Sequence, residues 1–128
     1  MIEHAIYQAK KAEQKGEIPI GAIIVRGDKI IAKAYNRREK KQNALYHAEM
    51  VAISKACRKL KSWRLDDCDM YVTLEPCAMC MGAITNARIK NVYYGVASTT
   101  DLNWTTMCHN LENPGCGEML KNFFAKKR

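Results

Sequence analysis

Apolar residues recur at helical spacing near the start of the chain: Ile2, Ala5, Ile6, Ala9 and Ala12 are separated by polar and charged positions. That period predicts an amphipathic helix over residues 2–15, stopped at Gly16. Two short apolar runs follow, 18–25 and 29–35, and Arg26-Gly27-Asp28 between them makes the pair a β-hairpin. The helical period returns with Met50, Val51, Ile53, Ser54, Cys57 and Leu60, so a second helix runs from His47 to Lys61. Residues 70–74 read as a strand, Pro76 suits the start of the helix after it, and 90–96 reads as another strand. Glu118 to Lys127 predicts a last helix with Met119, Leu120, Phe123 and Phe124 on its apolar side. Residues 97–117 are polar, rich in Asn and punctuated by Gly, and carry no clear period. This order of elements predicts an α/β layered domain, helices packed on a mixed sheet.

Composition changes little in that picture. The chain has 128 residues, 48% of them apolar and 27% charged, which suits one soluble globular domain over 1–128. No apolar run nears the roughly 20 residues of a membrane span, and the N-terminus lacks a signal-peptide pattern, so the cytoplasm is the expected compartment. Six cysteines without a secretory signal, two of them in a CxxC spacing, favour free thiols or metal ligands over a disulfide framework. Cys108, His109 and Cys116 lack a fourth ligand and a standard spacing, so loop or core roles fit them better than a second metal.

Charge adds a direction. The net charge is +8, with clusters at Lys10-Lys11, Arg37-Arg38, Lys40-Lys41, Arg58-Lys59 and Lys126-Lys127-Arg128. Such an excess suits a polyanionic partner, of which nucleic acid is the commonest, and equally a solvated surface that merely keeps the protein soluble.

The chemistry concentrates at two helix starts. His47-Ala48-Glu49 opens one, and Pro76-Cys77-Ala78-Met79-Cys80 opens another. Cys77 and Cys80 are separated by about 300° of helical turn, which keeps both sulfurs near one face. A helix N-terminus also favours thiolate over thiol, the form that binds metal. Three ligands leave a fourth position open, the arrangement of a catalytic zinc rather than a structural one. Glu49 lies off the direction of His47 and is free to move protons. Ordinary readings exist for each part: a capping histidine, a redox CxxC after a strand, half of a zinc knuckle. The whole set favours catalytic zinc.

HxE with PCxxC is the signature of zinc nucleobase deaminases, and the chain resembles the cytidine deaminase-like superfamily. Within it, the sequence is most similar to the bacterial tRNA-specific adenosine deaminase family. The resemblance runs through Gly16-Glu17-Ile18-Pro19-Ile20-Gly21-Ala22, Asn36-Arg37, His47-Ala48-Glu49, Trp63-Arg64-Leu65, residues 71–80, Gly82-Ala83-Ile84, Ala87-Arg88-Ile89, Tyr94-Gly95 and Phe123-Phe124. It implies a three-layer α/β/α fold, with a mixed sheet of four to five strands and helices on both faces. It implies one Zn2+ per subunit, with a bound water or hydroxide, on His47, Cys77 and Cys80, and proton transfer by Glu49. Asn36 would contact the target nucleoside, Ile20, Leu74, Glu75 and Pro76 would line the pocket, and the backbone of Ala48 would read the base edge. Phe123, Phe124, Lys126, Lys127 and Arg128 would meet the anticodon stem-loop of a tRNA, bound across a homodimer.

The chain also departs from its relatives. Asn43-Ala44-Leu45-Tyr46 replaces the family's Asp-Pro-Thr-Ala before the HAE motif, placing Tyr46 at the pocket mouth. Ser98 stands where the family carries an Asp that senses the ribose 2′-hydroxyl. The stretch before the last helix is short, which leaves the family's fifth strand reduced or absent. The expected reaction is hydrolysis of the wobble adenosine of a tRNA to inosine. The alternative is a deaminase of the same fold acting on single-stranded DNA, cytosine, or a free purine base or nucleoside. Glu49 and the open fourth position argue against a non-enzymatic zinc module.

Overall fold

A computed structural model describes residues 1–98 and 106–126. Helix α1 spans Ile2–Gln14 and buries Ala5, Gln8, Ala9 and Ala12, a stripe of mostly small side chains that lets the helix lie close to the sheet. Gly21 is the other half of that contact: a Cβ there would overlap the Ala5 carbonyl oxygen and the Ala9 nitrogen. Gly16, at φ 77°, turns the chain out of the helix. Strands β1 (Gly21–Arg26) and β2 (Lys29–Tyr35) form the expected hairpin, with Gly27 at φ 64° in the turn. Residues 18–20 stay outside β1, because Pro19 has no N–H for a ladder.

Two further strands complete the predicted set and a fifth extends it. β3 (Asp69–Leu74) pairs antiparallel with β1 and parallel with β4 (Asn91–Val96). Strand β5 (Met107–Asn110) adds parallel to β4, giving the sheet order β2-β1-β3-β4-β5. The fifth strand is thus present but only four residues long.

The helices lie on both faces. A short α2 (Arg38–Lys41) leads to α3 (Ala48–Leu60), and α4 (Ala78–Asn86) connects β3 to β4. Alternate strand residues Ala22, Ile24, Met70, Val72 and Val92 pack with Ala48, Ala52 and Ala56 of α3 and Met81 and Ile84 of α4 into the main core. The opposite face is covered by α1 and by α5 (Pro114–Lys126), whose Cys116 sits against Gly95. Helix α5 begins four residues earlier than its apolar period suggested. Pro114 occupies its first position, and the Asn113 side chain accepts the Gly115 N–H at 3.0 Å, capping it. No helix among the described residues is long and apolar enough to cross a membrane.

Candidate active site

Strand β3 delivers the chain to the site. After Leu74, Glu75 N–H still bonds the Val96 carbonyl at 2.9 Å, and Pro76 is fully buried behind it. Cys77 is then the extended N-cap of α4, as His47 is of α3 (ψ 175° and 153°). Both caps leave the helix axis, so their side chains turn toward each other where the two helices begin. His47 Nδ1 lies 3.7 Å from Cys77 Sγ and 3.5 Å from Cys80 Sγ. All three donor atoms fall within 4.8 Å of one another.

That spacing fits a tetrahedral zinc. Bonds of about 2.1 Å to nitrogen and about 2.3 Å to sulfur place N and S roughly 3.6 Å apart at a tetrahedral angle. Electrostatics point the same way. Burial, then the neighbouring Glu49 and Cys77, push the Cys80 thiol well above its ordinary range, so the helix N-terminus alone does not hold a thiolate there. A cation between the donors removes that obstacle. Burial, and then the charge on Arg38, lower the His47 pKa, which favours the neutral, ligating imidazole. Glu49 is 4% exposed, hydrogen-bonds Cys80, and is raised by burial to about 7. A carboxyl that can gain or lose a proton near neutrality is what a proton carrier needs.

The loop from 36 to 46 leads into His47. Asn36 is buried; its Nδ2 donates to the Ile18 carbonyl at 3.4 Å and its Oδ1 accepts the Arg38 N–H at 3.2 Å. Arg37 N–H bonds the Tyr46 carbonyl at 3.0 Å and closes the loop next to His47. Ile20 is half-buried against the core, Ala48 is fully buried, and as the first residue of α3 it has an N–H with no partner inside the helix. Ser98 comes to Glu75: its N–H and Oγ both donate to Glu75 Oε1, at 2.9 and 3.3 Å.

One residue that reading the sequence missed organises this loop. Glu17 is 2% exposed, and its two carboxylate oxygens accept the Glu39 and Lys40 N–H groups at 3.0 and 2.7 Å. It thereby holds the start of α2, and with it the segment that carries Asn36 and Tyr46. A charged residue inside the apolar stretch 16–22 was the available signal.

Other sequence candidates sit apart from the cluster. Phe123 is buried and meets Phe124 edge-on at 5.5 Å, while Phe124 is exposed, as is Lys126. Lys127 and Arg128 lie outside the described residues. Cys108, His109 and Cys116 do not converge: Cys108 is exposed, His109 stacks on Tyr93 at 4.7 Å, and Cys116 is buried under Gly95. Among the described residues, His47, Cys77 and Cys80 form the metal-type cluster.

A five-stranded mixed sheet carrying a His–Cys–Cys cluster and a buried Glu at two helix starts defines a deaminase, and the model of the MafB19-like deaminase family matches residues 1–128. The "tRNA-specific adenosine deaminase" of Bacillus subtilis is 51% identical over 94 residues, covering 73% of this chain and 58% of that protein's length. That of Aquifex aeolicus is 41% identical, covering 97% of this chain and 91% of its own. A solved structure from a study of A-to-I editing by tRNA:A34 deaminases at the wobble position superposes with a TM-score of 0.87 at 33% identity, covering 93% and 97% of the two chains. The chain belongs to the tRNA-specific adenosine deaminase family.

Proposed function

We propose that this protein converts the wobble adenosine of a tRNA to inosine by hydrolytic deamination, using zinc held by His47, Cys77 and Cys80. The observation that carries the reading is the buried Glu49 beside a three-donor cluster of zinc dimensions, in a chain of this family. Zinc in that site supplies Lewis acidity and an activated water. The rest falls to the chain's own residues. Deamination forms a C6–O bond and breaks the C6–N bond; the two protons of water end on N1 of the base and on the departing ammonia. Glu49 carries both in turn, taking each from the oxygen side and releasing it to nitrogen. Asn36 places the nucleoside, the backbone N–H of Ala48 reads the base edge, and Ile20, Leu74 and Pro76 wall the pocket. Glu75 and Ser98 face the ribose as a pair, with Tyr46 at the mouth.

Family likeness further supports a homodimer in the cytoplasm, with Phe124 and the lysines of α5 against the stem-loop. The test is mass spectrometry of the purified, zinc-loaded protein with anticodon stem-loop RNA, the matching single-stranded DNA, and free bases and nucleosides. Inosine in the RNA is the expected outcome. Deamination confined to free purines would sink the tRNA reading and leave the zinc chemistry standing.

A further inference from the structure

The order strand, Pro76, Cys77-x-x-Cys80, helix serves a zinc site here, and it is equally the order of a dithiol centre. Cys77, the extended N-cap of α4, is half-buried, while Cys80, one turn on, is fully buried. The Met81 N–H closes that turn on the Cys77 carbonyl at 2.9 Å. Helical geometry then sets the two Cα atoms about 5 Å apart, inside the roughly 4.4–6.8 Å that a disulfide spans. We propose that Cys77 and Cys80 are a reversible oxidation site: a peroxide joins them in a disulfide that strips the zinc of two of its three ligands, and a dithiol undoes it. The proposal rests on the zinc reading of this cluster, adds what can switch it off, and holds whichever nucleic acid is the substrate.

Both sulfurs sit on one turn of one helix, in hydrogen-bond contact with each other. A single two-electron oxidation therefore removes two donors at once, and His47 alone does not hold the ion. A cysteine that ligates zinc is a thiolate, the form that a peroxide attacks. Exposure sets the order: the peroxide reaches Cys77 first, and Cys80, shielded from water, resolves it. The other cysteines are placed differently. Burial raises the Cys57, Cys68, Cys108 and Cys116 thiols above their ordinary range. Cys108 falls in the row of Val92, on the sheet face under α3 and α4, whereas Cys116 lies under Gly95 on the α5 face, so the sheet separates them.

The chemistry balances with the peroxide as sole oxidant. The Cys77 thiolate takes one peroxide oxygen and becomes a sulfenic acid as the O–O bond breaks, and the other oxygen leaves as water. The Cys80 thiolate attacks that sulfur; the S–S bond forms, the S–O bond breaks and the hydroxyl leaves as a second water. Two thiolates, one hydrogen peroxide and two protons thus give one disulfide and two waters, the sulfurs losing the two electrons that the peroxide gains. A link across one turn leaves the helix in place, so the fold survives and the change reverses. An external thiolate attacks the more accessible Cys77 sulfur, and Cys80 is the leaving group.

The test treats the full-length, zinc-loaded chain with hydrogen peroxide, following zinc with a chromogenic chelator, thiols with a thiol-reactive dye and linkage by peptide mass spectrometry. Zinc release is expected in step with the loss of two of the six thiols, with Cys77 and Cys80 linked and far-ultraviolet circular dichroism unchanged. Dithiothreitol followed by zinc is expected to return the metal. Cys57→Ser/Cys108→Ser removes the other two cysteines that reach solvent and is expected to release zinc at the parent rate. Zinc kept while thiols are lost elsewhere would overturn the proposal. So would sulfinic or sulfonic acids in place of the link, release that the C57S/C108S variant abolishes, or release that dithiothreitol and zinc do not reverse. Zinc content before peroxide scores the metal site by itself, and inosine formed on stem-loop RNA scores the reaction. A chain that takes up no zinc removes the metal reading on which the proposal stands; a chain that takes up zinc and forms no link removes the proposal alone.

Discussion

The end of the molecule where α3 and α4 begin and the flank made by β5 and α5 are built to different tolerances. At the first, Glu17, Asn36, Glu49 and Cys80 are all buried, and each has partners. At the second, β5 is four residues long and mostly exposed, and α5 buries only Cys116 and Phe123. Charged or polar groups taken out of water are stable only while every partner is present, so the chemical end tolerates few substitutions. The flank rests on a few apolar contacts and has room to vary.

The largest effect that separates the two regions lies in the cluster itself. Cys80→Ala is expected to abolish both zinc retention and deamination, read by metal analysis and inosine formation, since two donors do not hold the ion. Glu49→Gln should keep zinc and lose roughly 10²- to 10⁴-fold in rate, the range for a positioned proton carrier. Cys116→Ala, on the flank, should keep both zinc and activity. Zinc loss in C116A as severe as in C80A would erase the contrast.

Next come the two glycines under the helices. A Cβ at Gly21 meets the backbone of α1, which cannot step aside, whereas a Cβ at Gly95 meets Cys116 Sγ first. Overpacking of this kind costs about 1–3 kcal/mol, and more where backbone must move. Gly21→Ala is therefore expected to lower stability in denaturant melts beyond Gly95→Ala, and only the Gly95 penalty should shrink when Cys116→Ala is added. Additive costs in that double mutant would place the strain in the Thr73 carbonyl, the other neighbour of Gly95.

Glu17 gives a smaller effect but a sharper one. Replacing it with Ala strands the Glu39 and Lys40 N–H groups, at about 1–3 kcal/mol for buried donors left unpaired. Glu17→Gln keeps one acceptor and should lose less. Because the loop it holds carries Asn36 and Tyr46, KM for the RNA should rise more than kcat falls. A pure stability loss with unchanged KM would make Glu17 structural only.

The same contrast governs what could be read from the chain without coordinates. The convergence of His47, Cys77 and Cys80, with Glu49 beside Cys80, was legible because metal-type donors leave their mark in residue type and helical spacing, and both helix starts carry local signals. Glu17 was not, because its partners lie 22 and 23 residues away and are backbone groups that any residue supplies. Strand β5 exists through its pairing with β4, and its exposed side chains carry no alternation. The first turn of α5 holds Gly115 and Gly117, poor helix formers, so its start is written in Asn113 and Pro114 rather than in hydrophobic period.

Ser98 lies between the two regions and gives the smallest effect. Its N–H and Oγ both donate to one oxygen of Glu75, so the hydroxyl is spent on a carboxylate. An Asp side chain at this position cannot donate there, although the backbone N–H still can. Its charge would be repelled by Glu75 and turn away, leaving a carboxylate to accept the ribose 2′-hydroxyl that distinguishes RNA from DNA. Ser98→Asp is therefore expected to lower deamination of a single-stranded DNA version of the stem-loop while sparing the RNA. The measurement is the ratio of product formed from the two in competition. A ratio that does not move would show that Glu75, rather than residue 98, reads the sugar.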